Sequence, residues 1–264
     1  MISLYNYLLL FFLNTSLLCF SISTGPTTLF ASNIQDLLKK ADEQMEQMNE
    51  EGALDTYLEI LQLDSGQYDA LWNASLLHAT IGNRFEVEAR KKEYFERAVE
   101  LAEKSVETHP NRGHPYYALA VAKGRMTDVV GTRARIRLAY AVEENVKKAI
   151  ERMPDHAPSW HLYGVWHSEV ANVSRAERFA ARFISRGLPD GSSHKAEEYL
   201  LKAVELDPES ILIRLDLARY YERTGNRTKA VAALEELFAM DPKPKIKDDR
   251  EYLEDAREML ENLR

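Results

Sequence analysis

From Ile34 onward the apolar positions recur in a fixed phase rather than forming one continuous run. Four segments end alike: Val106 to Pro110, Ile150 to Pro154, Val204 to Pro208 and Phe238 to Pro242. Twelve residues before these prolines stand Ala98, Val142, Ala196 and Ala230, and five before them stand Ser105, Ala149, Ala203 and Leu237. Ten after the first three stand Ala120, Gly164 and Ala218; six after them stand Tyr116, Trp160 and Arg214. An earlier unit keeps the phase with Ser65 in place of proline, and carries Ala53, Leu71 and Ser75 at the matching sites. Small residues at fixed points let two helices approach closely, large apolar residues fill the space between them, and proline stops each second helix. The pattern predicts antiparallel helix pairs stacked one on the next.

This unit resembles the tetratricopeptide repeat, a helix–turn–helix of about 34 residues. The stretch Ile211 to Pro242 carries it most fully, with Leu217, Ala218, Tyr221, Ala230 and Leu234 in place and Gly225-Asn226 as the turn. Five units fit between Ile34 and Pro242. Lys247 to Leu263 then reads as one more amphipathic helix, with Tyr252, Leu253, Ala256, Met259, Leu260 and Leu263 on one face. A terminal helix of this kind covers the apolar face of the last repeat. The expectation is an all-α, right-handed tetratricopeptide-like solenoid with elongated middle repeats and a C-terminal capping helix.

The unit terminators at 65, 110, 154, 208 and 242 are spaced 45, 44, 54 and 34 apart, so the middle units carry extra residues. In the third unit these include Gly131 to Arg137. In the fourth they run from Ala171 to about Ser192, where Arg175 to Ile184 predicts a short additional helix, Gly187 to Gly191 a loop, and Ser193 a cap for the next helix. The segments Trp160 to Gly164, Arg175 to Phe183, Ala196 to Ala203 and Lys247 to Glu251 are similar to the regulator of microtubule dynamics family, over roughly residues 68 to 264. That resemblance implies a non-enzymatic adaptor, associated in eukaryotic members with microtubules and organelle membranes, whose helical domain is linked to phospholipid binding.

Met1 to Ala31 is a different material: it carries no charged residue, and Leu8 to Phe20 is almost continuously apolar. It is short for a membrane span and suits a secretory signal cleaved before Ser32, with an uncleaved N-terminal anchor as the alternative. The expected organisation is therefore residues 1–31 as leader and 32–264 as solenoid, in a secreted or periplasmic protein. Such a leader suggests a bacterial envelope protein and points away from tubulin as partner. Cleavage would remove Cys19, the single cysteine, and with it any thiol chemistry.

Composition narrows the activity. The 264 residues hold 34 basic and 42 acidic side chains, a net charge of −8, which argues against a general nucleic-acid binder. With only 11 glycines there is no phosphate loop or dinucleotide turn, and no paired-histidine zinc helix appears. His161 and His167 are six apart and point to different faces of a helix. No cofactor, metal or catalytic constellation is expected, although a Ser/His/Asp set could assemble from distant residues. The cations cluster locally: residues 123–152 hold eight basic against four acidic, and 172–195 five against two. This zone reads either as a solvated helix face or as a contact for a membrane surface or lipid headgroup.

The repeat phase sorts the aromatic residues. Tyr116, Trp160 and Tyr163 fall on packing positions, whereas Trp72, Tyr117 and His161 fall on the inner face of the solenoid. The predicted groove floor carries Trp72, Leu76, Tyr117, Val121, His161 and Val165, with Arg125 one helical turn beyond Val121 as a cationic rim. Repeats that clamp a terminal carboxylate place Lys and Asn on this face; of the matching residues only Asn73 fits, so an acidic tail peptide is not the expected ligand. The leading expectation is a scaffold that grips a protein or peptide partner. A phospholipid held in the groove is the alternative, and inserted segments folding inward to fill the groove would remove both.

Overall fold

The computed structural model describes residues 26–184 and 186–264. The apolar leader run and Cys19 lie outside the described residues. Twelve α-helices account for the described fold. They pair as α1 (Pro26–Glu46) with α2 (Glu50–Leu63), α3 (Tyr68–Asn83) with α4 (Glu88–Thr108), and α5 (His114–Met126) with α6 (Thr132–Arg152). Then follow α7 (Ala157–Asn172) with α9 (Ser193–Leu206), separated by the short α8 (Arg175–Ile184), and α10 (Ile211–Arg223) with α11 (Arg227–Ala239). The last helix is α12 (Asp249–Leu263). These are the five units expected from the terminators, and among the described residues no helix is long and apolar enough to cross a membrane.

The small residues of the repeat do the packing expected of them. Ala53, Ala98, Ala120, Ala149, Ala196, Ala203, Ala218 and Ala230 are all fully buried, as are Ser75 and Ser105. Gly164 shows why one site admits no side chain: a Cβ there would lie 2.8 Å from Leu200 Cγ and 3.0 Å from Leu200 N, so α7 and α9 touch backbone to backbone. Helix starts are fixed by side chains accepting from free amides, Asn49 from Gly52, Gln67 from Ala70, Ser210 from Ile213 and Asn226 from Lys229. The cap of α9 is Ser192, whose hydroxyl accepts from the Lys195 amide, one residue before the expected Ser193.

The extra residues of the second and third units lengthen α4 and α6 to 21 residues each. In the fourth unit they form α8 and its loop. α8 rests against the first half of α6, where the Arg133 guanidinium donates to the Ile184 carbonyl at 3.2 Å. α12 covers the end of the stack as expected: Leu253, Ala256, Leu260 and Leu263 share one buried cluster with Leu200, Leu215, Leu234 and Leu237. Its N-terminal end also reaches the opposite end of the chain. Asp248, just before α12, pairs with Arg84 at 2.6 Å, Arg84 pairs with Glu50 at 2.5 Å, and Lys247 pairs with Glu51 at 2.7 Å. Asp255 pairs with Arg219 of α10 at 2.6 Å. Residues 248, 252 and 255 share one helical face, and that face spans the inner side of the solenoid.

Candidate functional site

The seven residues predicted for the groove lie on α3, α5 and α7, the first helices of three consecutive pairs, and all are half-buried. Trp72 and Leu76 pack on Ala102, Ala118 and Leu119, while Val121 packs on Ala79, Ala98 and Ala122. Val165 leans on the buried cluster of the last units. Burial pushes the Tyr117 phenol up to about 12, against a smaller opposing pull from Arg125. Arg125 itself donates to Asn83 Oδ1 at 3.4 Å. The floor is thus continuous with the core, and α12 lies over part of it: the charges of Arg125 and Asp216 both act on Tyr252.

Two features of this face were invisible in the repeat phase alone. The first is a ladder of rings running across α3, α5 and α7. Trp72 stacks on His114 at 4.5 Å, His114 meets His156 edge-on at 5.5 Å, and His156 meets Tyr117 at 4.8 Å. The Tyr68 hydroxyl bonds His114 Nδ1 at 2.8 Å, and Ser159 Oγ lies 2.7 Å from His156 Nδ1. Burial, with His114 alongside, pulls the His156 pKa down to about 4; burial lowers His114 as well. His109, His114 and His156 stand within four residues of Pro110 or Pro154, so their shared edge was the one available signal.

The second feature is a recess of about 210 Å³ lined by Val165, Ser168, Glu169, Leu200, Asp216, Arg219 and Arg223. Its floor is apolar and its rim charged. His161 Nε2 lies 2.8 Å from Asp216 Oδ2, and Arg219 donates to the other carboxylate oxygen at 3.0 Å. Burial raises the Asp216 pKa, but these two partners outweigh it and hold the carboxyl below its ordinary value. His161 therefore has a carboxylate beside it and no hydroxyl, whereas His156 has a hydroxyl and no carboxylate; among the described residues the two halves of a triad never meet. Asn73 spends its amide on the Asp69 carbonyl at 2.9 Å, so it is not presented to a carboxylate ligand.

Of the aromatic residues expected to pack, Tyr116 and Tyr163 are buried. Trp160 is only partly buried: it packs against Ala157, Ala203 and Ile213, and its indole donates to the Pro154 carbonyl at 2.7 Å as the Tyr116 hydroxyl does to the Pro110 carbonyl.

Stacked helix pairs with a covered end and a concave inner face define a tetratricopeptide-repeat protein of the kind that serves as a protein-interaction scaffold. The thermophilic TPR protein TTC0263 of Thermus thermophilus has the same fold: it is 19% identical, with a TM-score of 0.64 over 85% of this chain and 98% of that one. The family model described as Regulator of microtubule dynamics protein 1-3 matches residues 37–264, and the chain belongs to that family. Regulator of microtubule dynamics protein 1 of Pongo abelii is 25% identical over 249 residues, covering 90% of this chain and 76% of the relative. The Bos taurus protein of the same name is 26% identical over 236 residues, covering 86% and 71%.

Proposed function

We propose that this chain is a non-catalytic scaffold that holds a partner polypeptide at its concave face, with the recess between α7 and α10 as the anchoring point. The observation that carries this reading is the recess itself: Val165 and Leu200 supply an apolar floor, and Arg219 and Arg223 stand at the rim beside the edge of α12. A partner segment would bury one apolar side chain there, contributing about 1.5–3 kcal/mol, beside a rim whose Arg219 and Arg223 are held by Asp216, Asp255 and Glu169. A phospholipid is the weaker occupant, since ligand cavities of that class run from roughly 300 to 1,000 Å³ and this recess holds about 210 Å³. The names of the relatives raise microtubules as a partner; the apolar leader favours an envelope location, where tubulin is absent. A cut before Ser32 leaves α1 with Ser32–Glu46, matched in length to the 14 residues of α2, and N-terminal sequencing of the chain recovered from its native compartment tests that cut.

The concave reading is tested with a photo-crosslinking residue placed at Val165 or Leu76, with Glu93 on α4 as an outward control. Recovery of one polypeptide from both concave sites and not from the control supports it. Equal recovery from all three sites removes the groove from the reading.

A further inference from the structure

The most exposed large apolar side chains of the described residues are not in the groove. They sit on α8, where Phe179 is 62% and Phe183 77% exposed, with Val87 the only other side chain in that range. The two phenylalanines are four residues apart and meet edge-on at 4.9 Å, so they stand as one ridge. α8 is held firmly enough to present it. Ser174 and Glu177 cap its start reciprocally, each accepting from the other's backbone amide. Ala181 is buried beneath it, Arg178 donates to the Val170 carbonyl, and Arg133 ties its last turn to α6.

The surroundings of the ridge carry one sign of charge. Arg175, Phe179, Arg182 and Phe183 fall on one stripe of the helix by their spacing, and Arg186 follows directly after. Arg133, Arg135 and Arg137 are exposed on the adjoining half of α6. Among the described residues none of these six arginines forms a salt bridge. Of the other cations of the zone, Lys123, Lys147, Lys148 and Arg152 are in salt bridges, Arg125 donates to Asn83 and Arg178 to backbone carbonyls. Arg133 and Arg135 each donate to a backbone carbonyl and Arg186 lies over the Tyr140 ring, but in a chain of net charge −8 none of the six has a carboxylate partner among the described residues beside the exposed aromatic ridge.

We infer that α8 and the first half of α6 form a docking surface for an anionic lipid bilayer, with Phe179 and Phe183 entering the headgroup layer and the arginines pairing with lipid phosphates and carboxylates. Three observations select this occupant. A second copy meeting the patch across a two-fold axis would bring arginines against arginines, so the partner is negatively charged. The ridge projects from a helix rather than lining a hollow, and insertion into a deformable layer needs no preformed counter-pocket. Arginines flank the apolar ridge on the same exposed surface, so their guanidinium groups can pair with headgroup phosphates while the rings enter the apolar edge of the layer. The surface is separate from the concave recess, so it stands or falls apart from the scaffold reading.

The test is co-sedimentation of the full chain with vesicles of phosphatidylcholine alone or of phosphatidylcholine with phosphatidylserine. Binding is expected to be at least about tenfold stronger to the anionic vesicles, and to weaken as salt screens the attraction. The double variant Phe179→Asp, Phe183→Asp should abolish it without lowering the melting temperature, because both rings are already in solvent. Arg175→Glu with Arg182→Glu provides a variant that leaves the apolar ridge intact, and each arginine lost should weaken binding about fivefold. Equal binding to both vesicle types, or anionic binding unchanged in both variants, overturns the proposal. A folded chain that ignores vesicles altogether also overturns it and leaves an acidic protein segment as the occupant.

Discussion

Two glycines, both inside helices, separate what the repeat demands from what it merely tolerates. At Gly164 the backbone of α9 leaves no room for a Cβ. Gly164→Ala must push the two helices of the fourth unit apart, and overpacking of this kind costs about 1–3 kcal/mol. At Gly124 in α5 an added Cβ meets nothing within 4 Å, so Gly124→Ala should instead stabilise the chain by roughly 0.5–1 kcal/mol through helix propensity. Chemical denaturation of the two variants checks the pair, and a shift of the same sign in both would contradict the packing account. The Gly164 position was legible in the sequence because it shares a phase with Ala120 and Ala218, both fully buried. Trp160 follows the same logic in part, packing against Ala157, Ala203 and Ile213 without being fully buried. Phase says nothing of the bond to the preceding proline carbonyl that Tyr116, Trp160 and Arg214 each make at this repeat position.

At the scale of the element, the helix pairs, α8 and the terminal helix could be read from periodicity, because each buries a stripe whose spacing is fixed by the 3.6-residue turn; the extra residues of the second and third units showed in the terminator spacing, but not that they extend α4 and α6. The groove was legible only in part. The repeat phase assigns seven residues to the inner face, but it carries no sign that α12 lies across part of that face, since the contact joins Asp248 to Arg84 across most of the chain. That contact gives a second prediction. Glu50 is 3% exposed and Arg84 is its ion-pair partner, so Arg84→Met strands a buried carboxylate and should destabilise by about 3–5 kcal/mol. Lys247→Met breaks an exposed pair with Glu51 and should cost no more than about 1 kcal/mol. Equal midpoints for the two variants in a urea titration would mean that the buried Arg84 pairs are worth no more than the exposed Lys247–Glu51 pair.

For the whole molecule the buried histidines set how the solenoid responds to acid. Burial is the main cause that lowers the pKa of His78, His114, His156 and His167, the last two to about 4. They lie on α3, at the starts of α5 and α7, and in the middle of α7, so the effect spreads over three consecutive units rather than one site. Within α7 the Ser192 amide donates to His167 Nδ1 at 3.2 Å, which requires that nitrogen unprotonated and the ring neutral. The unfolded chain takes up protons near pH 6.5, about the ordinary histidine value, whereas the folded chain resists them until a lower pH. Stability is therefore complete above about pH 6.5 and falls as the pH drops towards 4. Each such histidine contributes a slope of at most about 1.4 kcal/mol per pH unit; solvent screening makes it smaller for the half-buried His114 and His156. Melting curves recorded from neutral pH down to about pH 5 should show a progressive fall, with most of the loss below the ordinary histidine pKa. His167→Gln retains an acceptor for Ser192 but cannot titrate, so it should flatten the fall. A wild-type melting temperature that stays level over this window would show that these imidazoles are protonated in the folded chain after all, and that the ring ladder tolerates the charge.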